Sequence, residues 1–132
     1  MIKSNLKKYI IQHDSTILDA AMAIKNNKSR CILVNDKYKV LGVLSEGDIL
    51  SALINGNNSF TKVSDVYNKN VKYLLKDDIY EAFNILKKFG ISLLPVLSKN
   101  FRLKGVYTIN YIFEKINDHI NTNKSRLKKI KK

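Results

Sequence analysis

Apolar residues in this chain alternate between helical spacing and short unbroken runs, and the whole series occurs twice. Ile17, Leu18, Ala21 and Ile24 lie on one face of a helix expected over 17–26, with Asp14, Ser15 and Thr16 supplying N-cap oxygens. A continuous apolar run over 31–34 has strand length and reads as buried on both faces. A turn over 35–37 leads to a return strand over 40–44, and Ser45 opens a second helix reaching about Ile54. Asn55, Gly56, Asn57, Asn58 and Ser59 then break the pattern. The second series begins with an extended stretch over 71–75, preceded in the first by one at 9–11. Asp77 or Asp78 caps a helix to about Phe89 that buries Ile79, Ala82, Phe83 and Leu86, and Gly90 stands where a left-handed C-cap is wanted. Strands over 92–97 and 103–108 precede a closing helix from 110 to about 120.

The echo holds residue by residue. Ile17 and Ile79 stand 62 positions apart, as do Val34 and Val96, while Gly42 and Gly105 stand 63 apart. A repeat this long is a supersecondary unit. The expected fold class is therefore α/β: two β-α-β-β-α units, 1–58 and 59–120, related by a pseudo-two-fold axis in one compact module, with a basic tail or linker over 121–132. Pro95, the only proline, falls inside a strand. It argues for an edge, or for a point where the ladder opens toward a ligand.

Charge alters this picture little. The net charge is +13, but lysine is scattered through the chain, as in the products of AT-rich genes, and is dense only after Lys124. The tail reads as a solvated linker or helix extension. Three arginines and no interleaved aromatic platform argue against nucleic acid as the partner. No apolar run reaches membrane-spanning length, and the lone Cys31 forms no internal disulfide, so a reduced, cytoplasmic setting is expected.

Catalysis finds little support. His13 and His119 are isolated from other metal-ligating residues, Cys31 sits in a strand, and Asp77-Asp78 is a helix cap. The chemistry worth following is at Ser45 to Asp48. A helix N-terminus offers unpaired N–H groups to a phosphate, and a carboxylate suits the two hydroxyls of a ribose. The same residues also read as a capping box, and both roles can hold in one protein.

Gly42-Val43-Leu44-Ser45-Glu46-Gly47-Asp48, together with Gly90-Ile91-Ser92-Leu93-Leu94-Pro95-Val96, resembles the doubled signature of a tandem CBS-domain pair, the Bateman module. A closer likeness, through Leu53 to Gly56 and Val63 to Asn70, is to pairs lying N-terminal to sugar-phosphate nucleotidyltransferases. The enzyme itself is absent. The chain reads as a free-standing module or as a regulatory piece of a longer protein. The resemblance implies a non-catalytic regulatory module that binds an adenosine-type ligand (AMP, ADP or ATP), requires no cofactor, and controls an attached or partner enzyme.

It places phosphate at Ser45, ribose at Asp48 and adenine against Ile10, Ile32 and Leu33, with Pro95 and Thr108 as the matching positions in the second half. There Tyr111 replaces the carboxylate, so one working cleft, at the first unit, is expected, with Lys72 meeting phosphate in the second. It also implies a homodimer through the helices, with Ile49, Leu53, Ile112 and Ile116 as interface candidates. The alternative is a ligand-free dimerisation module.

Overall fold

The computed structural model describes residues 1–130. The first unit holds β1 (Ile10–Gln12), α1 (Ile17–Asn27), β2 (Cys31–Asp36), β3 (Lys39–Ser45) and α2 (Glu46–Ile54). The second holds α3 (Ile79–Phe89), β4 (Leu93–Leu97), β5 (Leu103–Thr108) and α4 (Ile109–Ile130). β1 runs parallel to β2, and β2 pairs antiparallel with β3; β4 and β5 form the matching antiparallel pair. The α/β class and the two repeated units are as expected. Two single 3-10 turns, Leu6–Tyr9 and Val63–Asp65, have no counterpart in the apolar pattern.

The unbroken apolar runs have a simple cause. Along β2, Cys31 and Leu33 face a cluster shared with Leu93, Leu97 and Val106 of the other unit. Ile32 and Val34 face the opposite way, onto Ala20 and Ile24 of their own helix. β4 repeats the arrangement, with Leu94 and Val96 packed on Ala82 and Leu86. Because side chains alternate across a strand, both faces of β2 and β4 are covered: one by a helix, one by the other sheet.

Helix ends follow the expected chemistry. Thr16 and Asp19 form a complete capping box on α1, and Asp78 caps α3 through the N–H of Glu81. Gly90 ends α3 at φ 62, and Lys28 ends α1 in the same left-handed conformation at φ 59. The tail expected from 121 continues α4 as helix to Ile130; Lys131 and Lys132 lie outside the described residues.

The extended stretch expected over 71–75 shrinks to one bridge, Leu74 to Val96. Leu74 donates to the Pro95 carbonyl at 3.0 Å and accepts from the Leu97 N–H at 2.8 Å. The next parallel bond toward Lys72 would need an N–H on residue 95, and proline has none. The ladder stops there and the chain lifts away. In the first unit Leu33 holds this position, and β1 stays in register through Ile10.

The outer strands are covered by segments from elsewhere in the chain. Asn68 bridges Val43 of β3, and Ile2, near the start of the first repeat, bridges Val106 of β5. Each cover lies against a glycine. A Cβ on Gly42 would sit 2.2 Å from the Asn68 carbonyl oxygen and 2.7 Å from the Tyr67 ring. Gly42→Ala is accordingly expected to lower stability by about 1–3 kcal/mol, the usual cost of overpacking, read from the urea midpoint.

Candidate functional site

A cleft of about 820 Å³ opens between the two units, beside the N-terminus of α2. Its floor is Cys31 and Ser92. One wall is Ser45 to Asp48, and the other is the end of α3 from Lys87 to Ile91. Asn70, Val71 and Lys72, the stretch freed by Pro95, complete the rim.

Ser45 and Asp48 meet here as a full capping box. The Asp48 N–H donates to Ser45 Oγ at 3.0 Å, and the Ser45 N–H donates to Asp48 Oδ2 at 2.9 Å. The Glu46 N–H donates to the Arg30 carbonyl at 3.0 Å, tying the helix start to the entry of β2. Among the described residues, Asp48 Oδ1 has no hydrogen-bond donor, so one carboxylate oxygen is available for a hydroxyl.

The second unit repeats this junction with one loss. The Ile109 N–H donates to the Ser92 carbonyl at 3.2 Å, and Thr108 Oγ1 accepts from the Tyr111 N–H at 3.0 Å. Tyr111 has no carboxylate to return the bond. The cavity beside Thr108 is small, about 160 Å³, and is lined by Lys28, Ser29, Arg30, Ser92 and Asn110. The cleft beside Ser45 and Asp48 is the larger of the two.

The remaining expected contacts fall elsewhere. Ile32 and Leu33 have no exposed surface and Pro95 is buried; none lines either cleft, and Ile10 packs against the cluster between the sheets. The β2 backbone, paired with both β1 and β3, holds Ile32 and Leu33 in the core, and β4, paired with β5, holds Pro95. The apolar lining comes instead from Val43, Val71, Phe89, Ile91 and Leu93. Lys72 lines the large cleft, not the second one, because residues 70–72 cross to the first unit's side after Asn68 pairs with β3.

Ile112 is 1% exposed in the core of the second unit and Ile49 is half-buried in that of the first, so neither offers the open face expected of it; Leu53 and Ile116 do, at 45% and 41%. Lys87, Phe89 and Arg30 were not among the residues singled out in the sequence. Their only signal is position: the C-cap before each inner strand faces the other unit's junction.

Burial pushes the Cys31 thiol up to about 12, with the Asp48 and Glu46 charges adding to the rise and a hydrogen bond with Ser92 opposing it. A protonated, buried thiol is a poor nucleophile. Ellman's reagent at pH 8 should leave Cys31 unmodified in the folded protein and titrate one thiol per chain in denaturant. Among the described residues, no group of three or more His, Cys, Asp or Glu side chains could hold a metal, and no helix is long and apolar enough to cross a membrane.

Comparison with known proteins follows the same outline. The CBS domain family matches over residues 5–55 and again over 63–118. A Vibrio cholerae protein of acetoin utilization, AcuB, superposes with a TM-score of 0.77 at 22% identity, over 96% of this chain and 92% of that one. The CBS domain pair of protein MJ0100, in complex with 5'-methylthioadenosine and S-adenosyl-L-methionine, gives 0.69 at 20% identity over 83% and 88%. The cytosolic domain of the Mg2+ channel MgtE, in complex with ATP, gives 0.64 at 21% identity over 81% of this chain and 44% of that one.

Among curated sequences, an uncharacterized 17.7 kDa protein of Acidianus ambivalens is 28% identical over 78% of this chain and 63% of its own length. The homoserine O-acetyltransferase of Methanobrevibacter ruminantium is 30% identical over 83% of this chain. The match spans only 22% of that enzyme's length. Both repeats of the present chain are covered by the family match, in order and nearly end to end, and the chain belongs to the CBS domain family as a tandem pair.

Proposed function

We propose that this module is a regulatory sensor of an adenosine-type nucleotide (AMP, ADP or ATP), bound in the large cleft. The observation that carries the reading is the convergence of the α2 N-terminus, the half-free Asp48 carboxylate and an apolar wall on a cavity of about 820 Å³. That volume lies within the range of small-molecule sites, roughly 300–1,000 Å³. Phosphate would lie near Ser45 and the first-turn amides, and the ribose diol would donate to Asp48. The bound adenosine-type ligands of the MJ0100 pair and of the MgtE domain support the same chemistry.

Of the residues proposed from the sequence, Ser45 and Asp48 stay in the ligand role. Thr108 serves the smaller cleft, and Ile10, Ile32, Leu33 and Pro95 act indirectly, by setting where the sheets end. Regulation is a linkage effect. The ligand touches both units, so it favours the arrangement of the pair that closes the cleft, and it shifts an attached or partner enzyme only by its differential affinity. That enzyme is a sugar-phosphate nucleotidyltransferase, as the subgroup likeness implies, or an acyltransferase of the kind that carries the same match.

Thermal shift with AMP, ADP, ATP, GTP, CTP and S-adenosylmethionine tests the reading. A true ligand at about a hundred times its Kd adds roughly 2.7 kcal/mol, which raises Tm by several degrees. Asp48→Asn keeps an acceptor for the Ser45 N–H but loses the charge. It should lower the unliganded Tm by only a few degrees, since an anion at a helix N-terminus is worth about 0.3–1 kcal/mol, and weaken the ligand about tenfold, the loss of one charge-assisted hydrogen bond. A full shift in that variant would remove Asp48 from the site.

A homodimer is part of this proposal. Leu50, Leu53 and Ile54 on α2, and Phe113, Ile116 and Ile120 on α4, are all more than 40% exposed, apolar surface of the kind that pairs between copies. Light scattering should report the mass of two chains, and Leu53→Lys with Ile116→Lys should reduce it to one.

A further inference from the structure

The charges around the large cleft do not cancel. Five ionised side chains line it: Arg30, Lys72 and Lys87 against Glu46 and Asp48. Arg30 Nε lies 4.0 Å from Glu46 Oε2, which pairs one cation with one anion. Asp48 is occupied on one oxygen by its own helix cap. Lys72 and Lys87 have no ion-pair partner among the described residues. They come from different elements, the stretch freed by Pro95 and the last turn of α3. The Lys72 ammonium rests 4.5 Å over the Phe89 ring, so its stem lies along the wall rather than out in solvent. The α2 N-terminus adds positive potential of the same sign.

We infer that the ligand class of this cleft is a nucleoside di- or triphosphate, with Lys72 and Lys87 bracketing the distal phosphates, and that a sulfonium nucleoside or a bare nucleoside is discriminated against. The inference rests on the nucleotide reading above and names what that reading leaves open. A ribose on Asp48 leaves that carboxylate charged, so the lining side chains still sum to +1, and Lys72 and Lys87 are the two cations that no ion pair holds. Each phosphate beyond the first extends the anionic chain, so that ammonium groups on two different elements can be met at once. A sulfonium nucleoside with an amine and a carboxylate is net positive and meets a field of the same sign.

Isothermal titration of the full chain with adenosine, AMP, ADP, ATP and S-adenosylmethionine reads this directly. Affinity should climb from AMP through ADP to ATP by roughly tenfold per added phosphate, the worth of one charge-assisted contact. S-adenosylmethionine should bind no better than adenosine. Raising the salt concentration should narrow the gap between ATP and adenosine. Lys72→Met with Lys87→Met should bring ADP and ATP down to the AMP value while leaving adenosine unchanged, and the paired arginine variant should restore the climb.

S-adenosylmethionine or adenosine binding as tightly as ATP would overturn the inference, as would a climb that survives in the double methionine variant. Failure of every compound to bind, adenosine included, would overturn the nucleotide reading itself.

Discussion

The structure depends on the contact between its two sheets. Leu33 and Val40 of the first unit meet Leu93, Leu97 and Val106 of the second in one cluster, with Tyr9 and Cys31 at its margin. Every one of these residues is buried, none more than 6% exposed. Burial of this kind is worth roughly 1.5–3 kcal/mol per large aliphatic side chain. Neither sheet could keep such a face in water. The two halves therefore pack as matching layers, and packing two twisted sheets leaves a space at the end where their strands hand over to helices. The cleft is a by-product of that geometry, and the side chains around it come from both halves because the contact does.

The repeat, its helices and its paired inner strands were legible in the sequence because each rests on local chemistry. Thr16, Ser45 and Asp78 cap helices as their side chains suggest, and Gly90 ends one as glycine does. The unbroken apolar run over 31–34 announced a strand covered on both faces, and it is; the strand expected over 92–97 is there too, and it is buried although Pro95 had argued for an edge. Of the candidate site, the pair Ser45 and Asp48 could be found because three residues of spacing bring N-cap and N3 together in any helix.

The rest of the site was not legible, for a physical reason. An apolar residue in a fully covered strand gives no sign of which layer covers it, so Ile32 and Leu33 read equally well as ligand wall and as core. Lys72 turned up in the large cleft because of a proline 23 positions later in the chain, which denies its stretch a ladder bond. Lys87 reaches the cleft only through the packing of one unit on the other, while Arg30 reaches it through the pairing of β2 with β3. Contacts that cross between repeats are set by tertiary geometry, and a one-dimensional pattern records only their spacing.

The exchanged strand covers bear on what the duplicated unit is. Asn68 screens the rim of the first sheet, while Ile2 screens the rim of the second. Neither sequence repeat, cut out alone, would carry its own screen; each would keep the piece belonging to its twin and expose a row of unpaired amides and carbonyls. Duplication is visible in the letters, but the smallest body able to unfold in one cooperative step is the couple. A mutation in either half is thus felt by the whole, which is the coupling a molecular switch requires.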